Sequence, residues 1–204
     1  LQNVLFILFF LAGAALFTVN VRKIIRNIRL GRKLDRTDRK AERWNIMFRV
    51  ALGQSKMVVR PTAAILHLLV YVGFVIINLE VLGIILDGIL GTHRLFAPFL
   101  GGFYDFLIGS FEFLALGVLV AVIIFFIRRN IIYIKRFRQK ELNGWPRSDA
   151  NTILMIEVLL MTAFLTMNAA DQVLQTRGVE HYIQAGSFPV SSLITGLFSS
   201  WSDG

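Results

Sequence analysis

Thr62–Leu86 reads TAAILHLLVYVGFVIINLEVLGIIL, twenty-five residues that are almost wholly apolar. That length crosses a bilayer with some tilt. The stretch also holds His67, the one histidine of the chain that can lie inside a membrane. On a helix, His67, Tyr71, Phe74 and Asn78 fall at i, i+4, i+7 and i+11 and share a face. A ring nitrogen, two aromatic rings and an amide on one stripe suit the wall of a cofactor or quinone pocket. They suit a packing seam equally well.

Working outward, the rest of the chain is of the same kind. Of 204 residues 55% are hydrophobic, 18 are Phe, and the mean hydropathy is +0.64. This exceeds what a soluble domain of the size carries and marks an integral membrane protein. There are no cysteines, so this chain alone builds no disulfide, zinc–thiolate site or iron–sulfur cluster. Three further apolar runs, Leu1–Val21, Phe103–Ile127 and Ala150–Gln172, are long enough to span. Leu1–Val21 is expected to be a span and not a signal peptide, because it lacks a positive n-region and its apolar run is too long. Ser148 and Asp149 suit the cap of the last helix. Asp87–Gly102 reads as a short Gly-rich loop. In the closing segment, Val173–Gly204, the part Phe188–Trp201 either lies in the interface or begins a fifth span. The expected fold is therefore an all-α integral membrane protein of four transmembrane helices. Because it begins at Leu1 and stops after an apolar run, the chain is expected to belong to a longer protein.

The net charge of +9 is explained by its placement. Arg22–Pro61 carries thirteen Lys and Arg, Arg128–Asp149 carries seven, and Arg94 and Arg177 stand alone elsewhere. The positive-inside rule puts both basic loops in the cytoplasm and the N-terminus outside. Within the first loop, Ala41–Val58 sets Trp44, Phe48, Ala51 and Leu52 at helical spacing among Arg and Lys. It reads as an amphipathic helix on the membrane surface, or as a docking face for an acidic partner. Nucleic acid is not an expected partner, since no recognition module is present.

Ionisable residues inside spans each need a reason. Glu80 lies toward the outer end of the second span, and Glu112 in the outer half of the third, with Asp105 on its face. On the fourth, Glu157, Met161, Phe164, Asn168 and Asp171 fall along one stripe. Glu80, Glu112, Asn168 and Asp171 are expected to converge near the outer leaflet, with His67 and Glu157 in the inner half. Glu80, Glu112, Glu157, Asn168 and Asp171 are candidates for a quinone or proton site. The competing reading is interhelical hydrogen bonding that holds the bundle together.

His67 is a candidate axial ligand for b-type haem, with Tyr71 and Asn78 beside it. His93 and His181 fall on the outer side, so a second ligand at the depth of His67 must come from outside these four spans.

The segments HLLVYVGFVIINLE (His67–Glu80), GTHRLFAPFLGGFYDFLIGSFE (Gly91–Glu112), NAADQVLQ (Asn168–Gln175) and KAERWNIMFRVALGQSKMVVRP (Lys40–Pro61) resemble a group of bacterial membrane proteins. In that group a cytochrome-b-like domain, similar to the nitrate reductase gamma subunit, precedes a heterodisulfide-reductase-like iron–sulfur domain. The resemblance implies a bacterial inner-membrane anchor that passes electrons between cytoplasmic iron–sulfur clusters and menaquinone through b-type haem. It implies a cytoplasmic iron–sulfur domain or subunit as partner and, in some relatives, electron-transfer flavoprotein. His67 matches the histidine of the group's second helix by position. The group's later histidine-bearing helix and Cys-rich domain have no counterpart in this sequence, so the chain is not expected to be catalytic alone. The alternatives are a cofactor-free structural subunit and, less well matched for want of an inverted repeat, a proton-coupled transporter using Glu80, Glu112 and Glu157.

Overall fold

The computed structural model describes residues 2–32, 34–35, 37–57, 61–198 and 200, with the side chains of Arg136 and Arg138 outside the description. Leu1, Val58, Trp201 and Gly204, which bound segments considered above, lie outside the described residues. No strand occurs among the described residues. Four helices are long and apolar enough to cross a membrane: α1 (Gln2–Arg29), α3 (Pro61–Leu90), α5 (Gly102–Asn130) and α6 (Trp145–Thr176). The protein is an all-α membrane protein, as its hydropathy requires. Between them lie α2 (Lys40–Ile46), which continues as a wider π-helical turn over Met47–Leu52, and the single turn α4 (Ala97–Leu100).

Every spanning helix is longer than its apolar run. α6 begins at Trp145, with Pro146 in its first turn and Gly144 at φ 76 turning the chain in. Proline suits a first turn, where its missing N–H has no partner to lose. Ser148 and Asp149 are consequently inside the helix and do not cap it. Likewise α3 runs past Leu86 to Leu90, so Asp87 belongs to a helix and not to the loop expected over Asp87–Gly102.

The chain divides into two compact units, Leu1–Ala64 with Gly88–Gly91, and Ile65–Asp87 with Thr92–Gly204. In the first, α1 buries none of its residues, and its Asn3 amide donates to the Gly88 carbonyl at 3.4 Å.

In the second unit α5 is the central element. It buries eight residues, Ile108, Gly109, Phe111, Glu112, Ala115, Val118, Ala121 and Val122, whereas α3 buries Gly73, Ile77 and Glu80. The core joins Ile77 of α3 to Ile108, Phe111, Ala115, Val118 and Val122 of α5. Met161, Phe164 and Leu165 of α6 complete it, with Phe188 of the closing segment. Where lipid is as apolar as the helices, such packing depends on close van der Waals contact and small residues. Gly73 meets the Val118 side chain, and a β-carbon at Gly117 would lie 3.3 Å from Leu69. At the other end of the α5–α6 pair, Asn130 and Asn151 exchange amide hydrogen bonds of 3.1 and 2.9 Å. Gly73→Val is expected to lower the detergent unfolding midpoint, at a cost of roughly 1–3 kcal/mol for overpacking. Gly13→Val, on α1 where nothing lies within 4 Å, should leave it unchanged. Equal midpoints for both variants would contradict a tight α3–α5 contact.

The closing segment folds back. After α6 the chain turns through Gly178 at φ 70 and returns as a 3-10 helix, Ser191–Leu197, packed on α6. The Ser191 hydroxyl donates to the Leu165 carbonyl at 2.9 Å, well inside the end of α6. The described part of Phe188–Trp201 thus lies back on α6, with a seven-residue 3-10 helix over Ser191–Leu197. Irregular backbone at such depth persists only when protein covers it, and here Ser191 is fully buried.

Candidate functional site

Three helices and the returning segment bring a set of polar side chains together at the end of the unit remote from Arg128–Asp149. The set is built around Asp87 and Arg94. Asp87 Oδ1 accepts from the Thr92 hydroxyl at 2.6 Å and from Leu95 N–H at 3.0 Å, and Oδ2 accepts from Arg94 N–H at 3.0 Å. These bonds hold Arg94 at φ 51, a conformation that side chains with a β-carbon seldom adopt. The strained backbone turns the guanidinium inward, where the residue is only 7% exposed.

Inside, the Arg94 fork is fully occupied. Nε and Nη2 meet Asp171 Oδ2 at 2.7 and 2.6 Å, and Nη2 also donates to Asn168 Oδ1 at 3.3 Å. Nη1 donates to the Tyr104 hydroxyl at 3.3 Å and lies 3.8 Å from Glu80 Oε1. The guanidinium also stands 4.9 Å from the Phe188 ring centre, a cation–π distance. Burial works against the Arg94 charge, but Asp171 and then Tyr104 more than offset it, so its pKa is held above the ordinary value.

Asp171 divides its oxygens. Oδ2 serves Arg94, and Oδ1 meets His93 Nε2 at 2.7 Å. His93 Nδ1 accepts the Ile183 N–H at 3.2 Å. A ring nitrogen that accepts carries no proton, so the proton of this imidazole sits on Nε2 and points at Asp171. Asn168 extends the chain of bonds, its amide nitrogen donating to Glu112 Oε1 at 3.1 Å. Glu112 Oε2 then accepts from the backbone N–H of Val190 and Ser191 at 2.8 and 3.1 Å. Asp105 accepts from Gly186 N–H at 2.6 Å, and Gln175 exchanges two 3.1 Å bonds with Ala185. Side chains of α5, α6 and the loop thus satisfy the backbone of the returning segment.

Glu80 differs from its neighbours. It is 7% exposed, one oxygen is at the edge of the Arg94 guanidinium, and Oε2 has no hydrogen-bond partner among the described residues. Glu112, Asp171 and Asp105 have hydrogen-bond donors, whereas Glu80 Oε2 has none among the described residues.

The expected convergence of Glu80, Glu112, Asn168 and Asp171 is therefore present, joined through Arg94. The α6 stripe is buried at Met161, Phe164, Asn168 and Asp171, and half-buried at Glu157. Glu157 is separate from the network. The α3 stripe divides. His67 and Tyr71 are half-buried, Phe74 is 61% exposed, and Asn78 is exposed with its amide donating to the Phe74 carbonyl of its own helix. The side of α3 that faces its neighbours carries Gly73, Ile77 and Glu80 instead.

A haem held by two histidines does not fit this chain's described residues. His67 lies twenty residues before Asp87 on α3, about 30 Å along the axis, while both ring nitrogens of His93 are engaged beyond Asp87. The His181 ring lies 6.3 Å from that of His93, at the same far end. No second histidine stands at the level of His67 among the described residues.

Sequence reasoning missed His93, Arg94 and Asp87 as members of the site. The available signal was Arg94 itself, the one Lys or Arg between Pro61 and Arg128, beside a set of intramembrane acids that needed a cation. Comparison with known proteins adds no relative, since no family model, curated protein or solved structure matches the chain.

Proposed function

We propose that the chain is the membrane anchor of a quinone-linked oxidoreductase, not catalytic alone, with a quinone-facing proton site at Glu80. The observation that carries this reading is the buried Glu80 carboxyl, with one oxygen beside Arg94 and the other without a donor among the described residues. An ionisable residue inside the membrane points by default to a proton or substrate path. Leu79 and Leu82, its neighbours on α3, are 63% and 53% exposed, so the helix that carries Glu80 also presents an apolar surface to lipid, where quinones travel. In the same reading the membrane is a bacterial inner membrane. The twenty Lys and Arg of the two basic loops face the cytoplasm, and electrons arrive there from an iron–sulfur domain or subunit or an electron-transfer flavoprotein. A b-type haem would supply one-electron transfer between clusters and menaquinone, and His67 is the residue of this chain that would help to hold it. The resemblance to nitrate reductase gamma-like domains supports the same assignment.

Glu80→Gln keeps the side chain's size and removes its exchangeable proton. In the assembly as isolated from its own membranes, this variant is expected to lower menaquinol-linked electron transfer at least tenfold, which corresponds to about 1.4 kcal/mol in the barrier. Folding and subunit content should be kept. Unaltered turnover would remove Glu80 from the pathway. His67→Ala should abolish any b-type haem signal of that assembly, and full haem content in the variant would exclude His67 as a ligand.

The second reading is a cofactor-free structural subunit. It is favoured by the satisfaction of Arg94, Asn168, Asp171 and Glu112 by one another and by backbone, the pattern of a network that fixes a fold.

A further inference from the structure

We infer that Lys40–Leu52 is a membrane-surface helix that binds an anionic lipid leaflet, with Trp44, Met47, Phe48 and Leu52 at the boundary between headgroups and acyl chains. This element belongs to the unit of Leu1–Ala64 and Gly88–Gly91.

Three observations favour lipid as its occupant. The first is the uncovered apolar surface. Trp44 is 58% exposed, Met47 38%, Phe48 55% and Leu52 50%, on an element that is α-helical over Lys40–Ile46 and π-helical over Met47–Leu52. The Trp44 and Phe48 rings stack at 5.7 Å and present one continuous aromatic surface. Tryptophan beside basic residues is the usual composition of a helix lying in the interface plane.

The second is charge. The segment Arg22–Pro61 carries thirteen Lys and Arg against Asp35, Asp38 and Glu42, a net charge of +10. Two of those acids, Asp38 and Glu42, sit against Arg39 at 3.4 and 3.5 Å. Lys40 and Arg49 on the element, and Lys56 four residues beyond it, are exposed and match the phosphates of an anionic leaflet.

The third is tethering. α1 ends at Arg29 and α3 begins at Pro61, so ten residues precede the helix and eight follow it. Extended strands of that length reach at most about 35 Å. The helix is therefore held within reach of the bilayer that α1 and α3 cross. An acidic soluble protein would answer the charge but not the exposed Trp44, Phe48 and Leu52.

The test uses the full chain with Trp145→Phe and Trp201→Phe, so that Trp44 is its one indole, reconstituted in lipid nanodiscs. Trp44 emission is expected to be blue-shifted and quenched by brominated acyl chains. The quenching should be at least about twofold stronger with phosphatidylglycerol present than in phosphatidylcholine alone. Lys40→Gln, Arg49→Gln and Lys56→Gln together should remove that difference without changing helix content. Emission from Trp44 that is insensitive to brominated lipid and open to aqueous iodide in anionic discs would overturn the inference. So would protection that appears only when an acidic soluble protein is added, which would reassign the face to protein docking. Equal quenching in the two lipids would overturn the anionic preference.

Discussion

Arg94→Met is expected to disrupt the acidic end of the α3–α5–α6 unit more than any other single substitution. The side chain is buried and gives its donors to Asp171, Asn168 and Tyr104, with Glu80 at 3.8 Å. Removing it leaves Asp171 and Glu80 buried without their cation. Breaking a buried ion pair from one side costs about 3–5 kcal/mol, most of it the burial of the abandoned charge. Thermal unfolding in detergent should show a large fall in the midpoint. Asp171→Asn should lower it less, because the amide oxygen of the replacement still accepts from Arg94. In the double variant, with Arg94→Met and Asp171→Asn together, the loss should be well below the sum of the two, since the abandoned carboxylate is gone. Strict additivity would mean that the two residues do not act as a pair.

Glu112→Leu comes next. Glu112 is fully buried, and its carboxylate holds Val190 N–H, Ser191 N–H and the Asn168 amide. Leucine fills the volume and accepts nothing, so two backbone donors and one amide lose their partner. Each buried donor left unpaired costs about 1–3 kcal/mol. The expected result is release of the returning segment, seen as protease cleavage between Val179 and Leu197 in a protein whose α5 and α6 remain intact. Glu112→Gln retains an acceptor oxygen and should keep most of the protection. Full protection in Glu112→Leu would show that Phe188, Ser191 and the apolar contacts dock the segment without the carboxylate.

Much of this architecture is readable from composition and spacing, and the limits have physical causes. The α6 stripe was legible because Glu157, Asn168 and Asp171 are rare polar marks on an apolar helix, and their spacing fixes the inward face. On α3 nearly every residue is apolar, so polarity alone cannot separate the lipid side from the packed side. The stripe from His67 to Asn78 followed the conspicuous residues, whereas Gly73, which lets Val118 approach, marks the true contact. The partners of Glu112 are backbone N–H groups, which no residue type advertises. Arg94 was visible only as a charge, and its role depends on the turn that Asp87 organises. The short 3-10 helix Ser191–Leu197 carries no sequence pattern of its own beyond an apolar run. The reading of that run as an interface segment or the start of a span reflects what such a run can show.

The central claim, that this is the membrane anchor of a quinone-linked oxidoreductase, is tested most directly on the assembly purified from its own membranes. A dithionite-reduced minus oxidised spectrum and an extraction for menaquinone are made on one sample. The expected result is a b-type α-band and bound menaquinone, with menaquinol-linked reduction of the band slowed in Glu80→Gln and the band lost in His67→Ala. A flat difference spectrum with no extractable quinone would contradict the claim and leave the structural subunit.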